Sequence, residues 1–335
     1  MVSRVGSFTF TSQNTQRLLS AQQKMIDLQT QVATGKRSQD YLKIANNSRQ
    51  LINLENSVDN AQQYVDQNAR VDLKIKAYNA SIEALTQLAY EAKRLYTDSV
   101  GSGAQPADQT INPRDRAFAI LKEVEAQLNL KIDGDYLFAG ASVDTKPVNF
   151  PNSQTDLESQ VGTGGSSTGP AFELNAGAPA SFTSDSANIA YFYTGDNIDL
   201  THRIDDDVQI DFAMRANEDA FTQLMGALVV MVDDPDVHPG GTFDSSKSDF
   251  VIDQIISAIE GLQTQAQKLG FAARRLESTN EDLETFLNFT QNEIGEIQDI
   301  DPTEAIVRMQ EAALNLEVSY QATARINQLS IANYI

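Results

Sequence analysis

Residues 252–297 read IDQIISAIEGLQTQAQKLGFAARRLESTNEDLETFLNFTQNEIGEI. Stepping alternately by three and four from Ile252, the chain passes Ile255, Ile259, Leu262, Ala266, Leu269, Ala273, Leu276, Asn280, Leu283, Leu287, Thr290, Ile294 and Ile297. Only Asn280 and Thr290 in that series are polar. A 3.5-residue apolar repeat keeps one stripe on one side of an α-helix, so this stretch reads as a long coiled-coil-like helix. At 1.5 Å per residue it would run roughly 70 Å. A rod of that length is an uncommon element in an enzyme.

The N-terminal flank carries a matching seam. Leu51, Leu54, Val58, Ala61 and Val65 follow the same alternation. Asn68 and Asp72 then interrupt it, and Ile75, Tyr78, Ile82, Leu85 and Ala89 resume it. The three-residue step from Ile75 to Tyr78 reads as a stammer that overwinds the coil. Two long helices at opposite ends of the chain are natural packing partners. A third helix is expected over 114–131, with Asn112 as its cap and Pro113 in its first turn.

The middle is different. In NIDLTHRIDDDVQIDFAM, residues 197–214, the even positions are Ile198, Leu200, His202, Ile204, Asp206, Val208, Ile210, Phe212 and Met214. That is a strand period with a turn at Asp205–Asp207. Ile189, Tyr191 and Tyr193 alternate likewise. Residues 218–232 read as an amphipathic helix, and 160–169 and 239–248 as flexible loops. The fold class expected is therefore α+β: a long antiparallel coiled-coil-like helical bundle built from both chain ends, with a β-rich inserted domain.

Composition narrows the function. Across 335 residues, 46 Asp+Glu against 25 Lys+Arg give a net charge of −21. Nucleic acid and anionic membrane surfaces repel such a chain, so neither is an expected partner. There is no cysteine and there are only two histidines, His202 and His238. A disulfide framework, a thiolate metal site and a cysteine nucleophile are thereby excluded. Asp205–Asp207 and Asp233, Asp234 and Asp236 lack the spacing of a calcium loop and read as solvated turns. Gly162–Gly165 lacks the Gly-Lys-Ser/Thr of a phosphate loop, and there is no G-x-S-x-G elbow. No catalytic set, metal or cofactor is expected. His202 falls on the apolar side of its strand and reads as a packed histidine. Asn46-Asn47-Ser48 and Asn288-Phe289-Thr290 match the glycosylation pattern but lie in helix-like segments. The start, MVSRVGSFTF, lacks the apolar core of a cleaved signal peptide.

The two ends differ from the rods. Residues 8–34 hold three charges, Arg17, Lys24 and Asp27, and residues 309–335 hold Glu311, Glu317 and Arg325. Ile306, Met309, Ala313, Leu316 and Tyr320 make one stripe, while Val307, Leu314 and Ile326 lie off it. A helix with apolar residues on more than one face must bury more than one face, which points to assembly with other chains. Asp301-Pro302-Thr303-Glu304 supplies the start of that helix.

LLSAQQKMIDLQTQVATGKRSQD, residues 18–40, resembles the stretch in bacterial flagellins and their junction homologues where a helix runs into a Gly-Lys-Arg turn. DGDYLFAGASVDTKPV, 133–148, and SYQATARINQLSIANYI, 319–335, resemble segments of the hook–filament junction branch of that family, the hook-associated protein 3 type. The Pro-Ser-Asp-Asp run common after the turn is replaced here by SQDYLKIAN. The resemblance covers about 1–150 and 245–335.

The resemblance implies a structural component of the bacterial flagellum that joins hook to filament by self-assembly through its terminal helices. Residues 1–45 and 302–335 would form an inner tube, 46–139 and 246–301 a rod layer, and 140–245 a β-rich outer domain. Assembly is assigned to Leu18, Leu28, Val32, Ile306, Met309, Leu316, Tyr320 and Leu329. The rod seam is assigned to Leu51, Leu54, Val58, Ile255, Ile259, Leu262, Leu269, Leu276 and Leu283. Implied partners are further copies of the chain, flagellin, the hook-side junction protein, an export chaperone and the type III flagellar export apparatus, and the implied location is extracellular. Two other readings stay open: a flagellin that forms the filament itself, and a secreted coiled-coil adhesin.

Overall fold

A computed structural model describes residues 2–38, 47–101, 112–161, 192–233 and 245–332. Helices α1 (Val2–Thr34), α2 (Ser48–Gly101) and α3 (Pro113–Leu128) come first, followed by the two-residue strands β1 (Lys131–Ile132) and β2 (Asp135–Tyr136). Helix α4 (Gln154–Val161), strands β3 (Thr201–Asp205) and β4 (Val208–Asp211), and helices α5 (Asp219–Asp233), α6 (Ser245–Gln298) and α7 (Pro302–Ala332) complete the chain. The protein is mostly helical, with long packed helices and two small antiparallel sheets, β1–β2 and β3–β4. It divides into two compact units, residues 1–62 with 283–335, and residues 63–282.

In the second unit α2 and α6 run antiparallel. Asn68 Nδ2 donates to Asn280 Oδ1 at 2.7 Å, and Gln263 Nε2 to Tyr90 Oη at 3.5 Å. The α6 seam is buried at Ile255, Ile259, Leu262, Leu269 and Leu276, whereas Ala266 is exposed. In α2 the phase break lies two turns earlier than the sequence reading put it. Asn68 is fully buried inside the seam, and Val71, not Asp72, takes the next inward position. From Val71 the alternation is regular through Ile75, Tyr78, Ile82, Leu85, Ala89, Ala92 and Tyr96, all buried. Two consecutive three-residue steps, Val65 to Asn68 to Val71, therefore replace the stammer expected at Ile75–Tyr78. Asn68 and Asn280, a polar interruption from each seam, meet each other, so each amide has a partner across the helix pair.

Helix α5 corrects a second expectation. From Ala220 to Val232 only Gln223 is not buried, so the helix is apolar all round and forms the centre of this unit's core. Phe221 meets Phe138 edge-on at 5.5 Å, and Phe138 meets Tyr78 at 5.0 Å. Helix α3 packs on α5. Asn112 caps α3 by accepting from the Arg114 amide at 3.1 Å, but the helix stops at Leu128 because the chain turns into β1 there.

The β3–β4 hairpin forms where the period-2 pattern placed it, with its turn at Asp206–Asp207. Ile204, Ile210, Phe212 and Met214 are buried, but Ile198 and Leu200 precede the strand and are exposed. Tyr64 Oη donates to Asp206 Oδ1 at 3.0 Å and Asn68 Nδ2 to Ile204 O at 3.0 Å, so the hairpin lies on α2. His202 is half-buried near Phe212, and burial holds its pKa below the usual histidine value. Of the expected loop 239–248, residues 245–248 already belong to α6. Ile189 and Tyr191, the 162–169 part of the other loop with Gly162–Gly165, and Asp234 and Asp236 lie outside the described residues.

In the first unit, Leu51 and Leu283 of the rod seam are buried, and Leu54 and Val58 are half-buried. Gln298 Nε2 donates to Glu55 Oε1 at 2.8 Å.

Candidate assembly surface

Helices α1 and α7 pack against each other within the first unit. The contact is antiparallel. Gln22 Nε2 donates to Tyr320 Oη partway along the pair, while residues 35–37 meet 298–300 at the near end. Gly35, with φ of 71°, occupies the left-handed region that turns the chain out of α1. Its carbonyl then accepts from the Ile300 amide at 3.0 Å, and the Arg37 amide donates to Gln298 O at 2.6 Å. The Gly-Lys-Arg turn singled out in the sequence is thus a clasp that ties the end of α1 to the start of α7.

Asp301 caps α7, accepting from the Thr303 amide at 2.8 Å. Hydrogen bonds from the Thr303 and Glu304 amides hold its carboxyl below the usual aspartate range. A cleft at the clasp is lined by Gln31, Arg37, Ile300, Asp301, Glu304, Ala305 and Arg308. Its polar groups are engaged with one another: Gln31 Nε2 donates to Arg37 O at 2.9 Å, and Arg308 pairs with Glu304 at 2.5 Å.

The described positions assigned to assembly lie on the faces where the two helices meet, or at the margin of those faces. Leu28 is only 7% exposed, and Leu18 and Val32 are half-buried on the same side of α1. On α7, Ala305 and Ala312 are buried and Met309 and Leu316 half-buried, forming the side that meets α1. Ile306 and Tyr320 are exposed at its margin, and the Tyr320 hydroxyl is engaged by Gln22. Leu329 lies within α7, its side chain outside the described set.

Each helix also carries an exposed apolar stripe on the side turned away from the other. At about 100° per residue, Leu19 and Ile26 lie about half a turn round α1 from Leu28 and Val32. Val307, Leu314 and Val318 lie about half a turn round α7 from Ala305, Ala312 and Leu316. All five are exposed, Leu314 at 63% and Val318 at 62%. Val307 and Leu314 are the residues that fell off the stripe in the sequence reading, and Leu19, Ile26 and Val318 went unremarked there. The signal was the seven-residue spacing of Leu19 to Ile26 and of Val307 to Leu314.

Among the described residues no helix is long and apolar enough to cross a membrane, and no three acidic or histidine side chains cluster as a metal would need.

Residues 252–335 match the family described as the bacterial flagellin C-terminal helical region, a match that takes in most of α6 and all of α7. No curated protein sequence matches the chain. Among solved structures it is similar to a flagellar hook-associated protein from Vibrio parahaemolyticus, at 13% identity and a TM-score of 0.47 over 74% of this chain and 96% of that one. It is also similar to FlgL from Bacillus cereus, at 14% identity and a TM-score of 0.43 over 75% of this chain and 99% of that one.

Proposed function

We infer, for a chain whose residues 252–335 are of the bacterial flagellin C-terminal type, that it is a structural subunit of the flagellum and joins hook to filament. The observation that carries this reading is the two-sided terminal pair. The facing sides of α1 and α7 close within the chain, and their outward sides keep exposed apolar residues, Leu19 and Ile26 on α1 and Val307, Leu314 and Val318 on α7. Exposed apolar stripes on both flanks of a helix pair are interaction surfaces, and further copies of the same pair are what they fit. In this reading residues 1–45 and 302–335 make the inner layer, 46–139 and 246–301 the rods, and 140–245 the outer part. The neighbours are flagellin on one side and the hook-side junction protein on the other. The subunit is extracellular, reaches its place through the type III flagellar export apparatus with an export chaperone, and performs no catalysis.

The flagellin-type C-terminal region supports a second reading, a flagellin that builds the filament itself. Electron microscopy of the purified protein added to isolated hooks separates the two. Short caps or rings at hook ends support the junction role, and long filaments overturn it in favour of a flagellin.

A further inference from the structure

Charge along α6 is sharply segregated. Residues 261–276 contain Lys268, Arg274 and Arg275 and no acid, in a chain whose net charge is −21. Residues 277–299 contain Glu277, Glu281, Asp282, Glu284, Glu293, Glu296 and Asp299 and no base. Each segment also displays an aromatic side chain outward. In the second unit Phe271 is 67% exposed, three residues from Lys268, three from Arg274 and four from Arg275. The Arg274 guanidinium sits 5.4 Å from the ring centroid, and Lys268 pairs with Asp211 at 3.1 Å. In the first unit Phe289 is 62% exposed, with exposed Phe286 three residues before it and Glu293 and Glu296 four and seven residues after it. Neither ring belongs to the buried seam, where Leu269, Leu276, Leu283 and Leu287 point inward.

We propose that these two patches are the halves of one contact between copies of this chain. The basic Phe271 face of one copy docks on the acidic Phe286–Phe289 face of the next. An exposed aromatic ringed by charge is the composition of an interface anchor, and opposite charges around the two anchors select the mixed pairing over either like pairing. The two faces differ, so the contact is heterologous: each copy uses one face and leaves the other for the next, and the pairing propagates into a ring or a helical array. This lateral contact is separate from the apolar stripes of α1 and α7 and does not require them.

The chain has no cysteine, so single thiols report the contact directly. Full-length Gln267→Cys, one turn from Phe271, is mixed with full-length Asn292→Cys, one turn from Phe289, and oxidised with copper phenanthroline at low salt. The ratio of mixed to like disulfides is expected to exceed its statistical value by about tenfold. It should disappear when the first protein also carries Arg274→Glu and Arg275→Glu. It should return when the second then carries Glu293→Arg and Glu296→Arg. Added salt should lower the yield, since the selection is ionic, whereas apolar association through α1 and α7 is not weakened by salt. Repeating the trap with Leu314→Asp and Val318→Asp in both proteins separates the two contacts, and the disulfide should persist. A statistical mixture, a failed charge-swap rescue, a yield that rises with salt, or loss of the disulfide in that last pair overturns the proposal.

Discussion

Asp196 accepts hydrogen bonds from the Ala141 amide at 2.9 Å, the Ile198 amide at 3.0 Å and Ser142 Oγ at 3.1 Å, and its own amide donates to Ala139 O. It fastens the turn after β2 to the segment before β3. Gly140 has φ of 70°, and a Cβ there would lie 2.2 Å from Asp196 Oδ1. Gly140→Ala is therefore expected to lower the melting temperature more than Gly134→Ala, whose φ is also positive, at 96°, but which faces open space. The strain alone is on the order of 1–3 kcal/mol, and thermal denaturation of the two variants checks the order. Burial pushes the Asp196 carboxyl upward, but hydrogen bonds from Ile198, Ala141 and Ser142 and the charge of Arg215 outweigh it and hold it below the usual aspartate value. A folded-state pKa below the unfolded one gives stability that is present above about pH 4 and is lost as pH falls through the folded value. The gap in melting temperature between wild type and Asp196→Ala should accordingly narrow from pH 7 to pH 3; an unchanged gap would remove the charge from the explanation. At Asn68 the cost depends on how many partners change. Asn68→Ala strands Ile204 O in the core and leaves half-buried Asn280 without its donor, and is expected to cost about 1–3 kcal/mol, while Asn68→Leu with Asn280→Leu leaves only Ile204 O unpaired and should cost less than Asn68→Ala in urea denaturation.

At the scale of elements, burial along α6 makes a sharp forecast. Leu269 and Leu276 are buried, and aspartate at either should destabilise by several kcal/mol, because an unpaired carboxylate in an apolar seam must protonate or stay uncompensated. Ala266 belongs to the same heptad series but is exposed, and Ala266→Asp should melt within a few degrees of wild type. Comparable losses at 266 and 269 would mean the seam is misplaced. The long helices, the α3 cap and the β3–β4 hairpin were legible in the sequence, because heptad spacing, Asn-Pro and period-2 alternation are local signals. Two features were not. The phase break in α2 depends on Asn68 finding Asn280, a residue 212 positions away that no local pattern reveals. The centrality of α5 depends on how many neighbours surround it; in FTQLMGALVVMV, Thr222 and Gln223 look like a polar side until packing buries Thr222. The terminal surface was half legible. The stripe through Met309 and Leu316 was found, but which of two apolar stripes closes within the chain is decided by α1.

At the scale of the molecule, a chain of net charge −21 can gather like-charged copies only where charge is sparse or complementary. The ends provide the first condition and the two faces of α6 the second. End-driven assembly rests on apolar burial, so salt that screens the remaining repulsion should leave it intact or strengthen it. The most direct test is light scattering with electron microscopy of full-length Leu314→Asp, Val318→Asp beside wild type, at matched concentration and at a salt concentration that screens the ionic α6 contact, with circular dichroism melting of both as the folding control. Both residues are more than 60% exposed, so the monomer should melt within about 0.5 kcal/mol of wild type in stability. Loss of assembly with the fold unchanged is the expected result; assembly at the wild-type level in the doubly charged variant would contradict the terminal-helix surface outright.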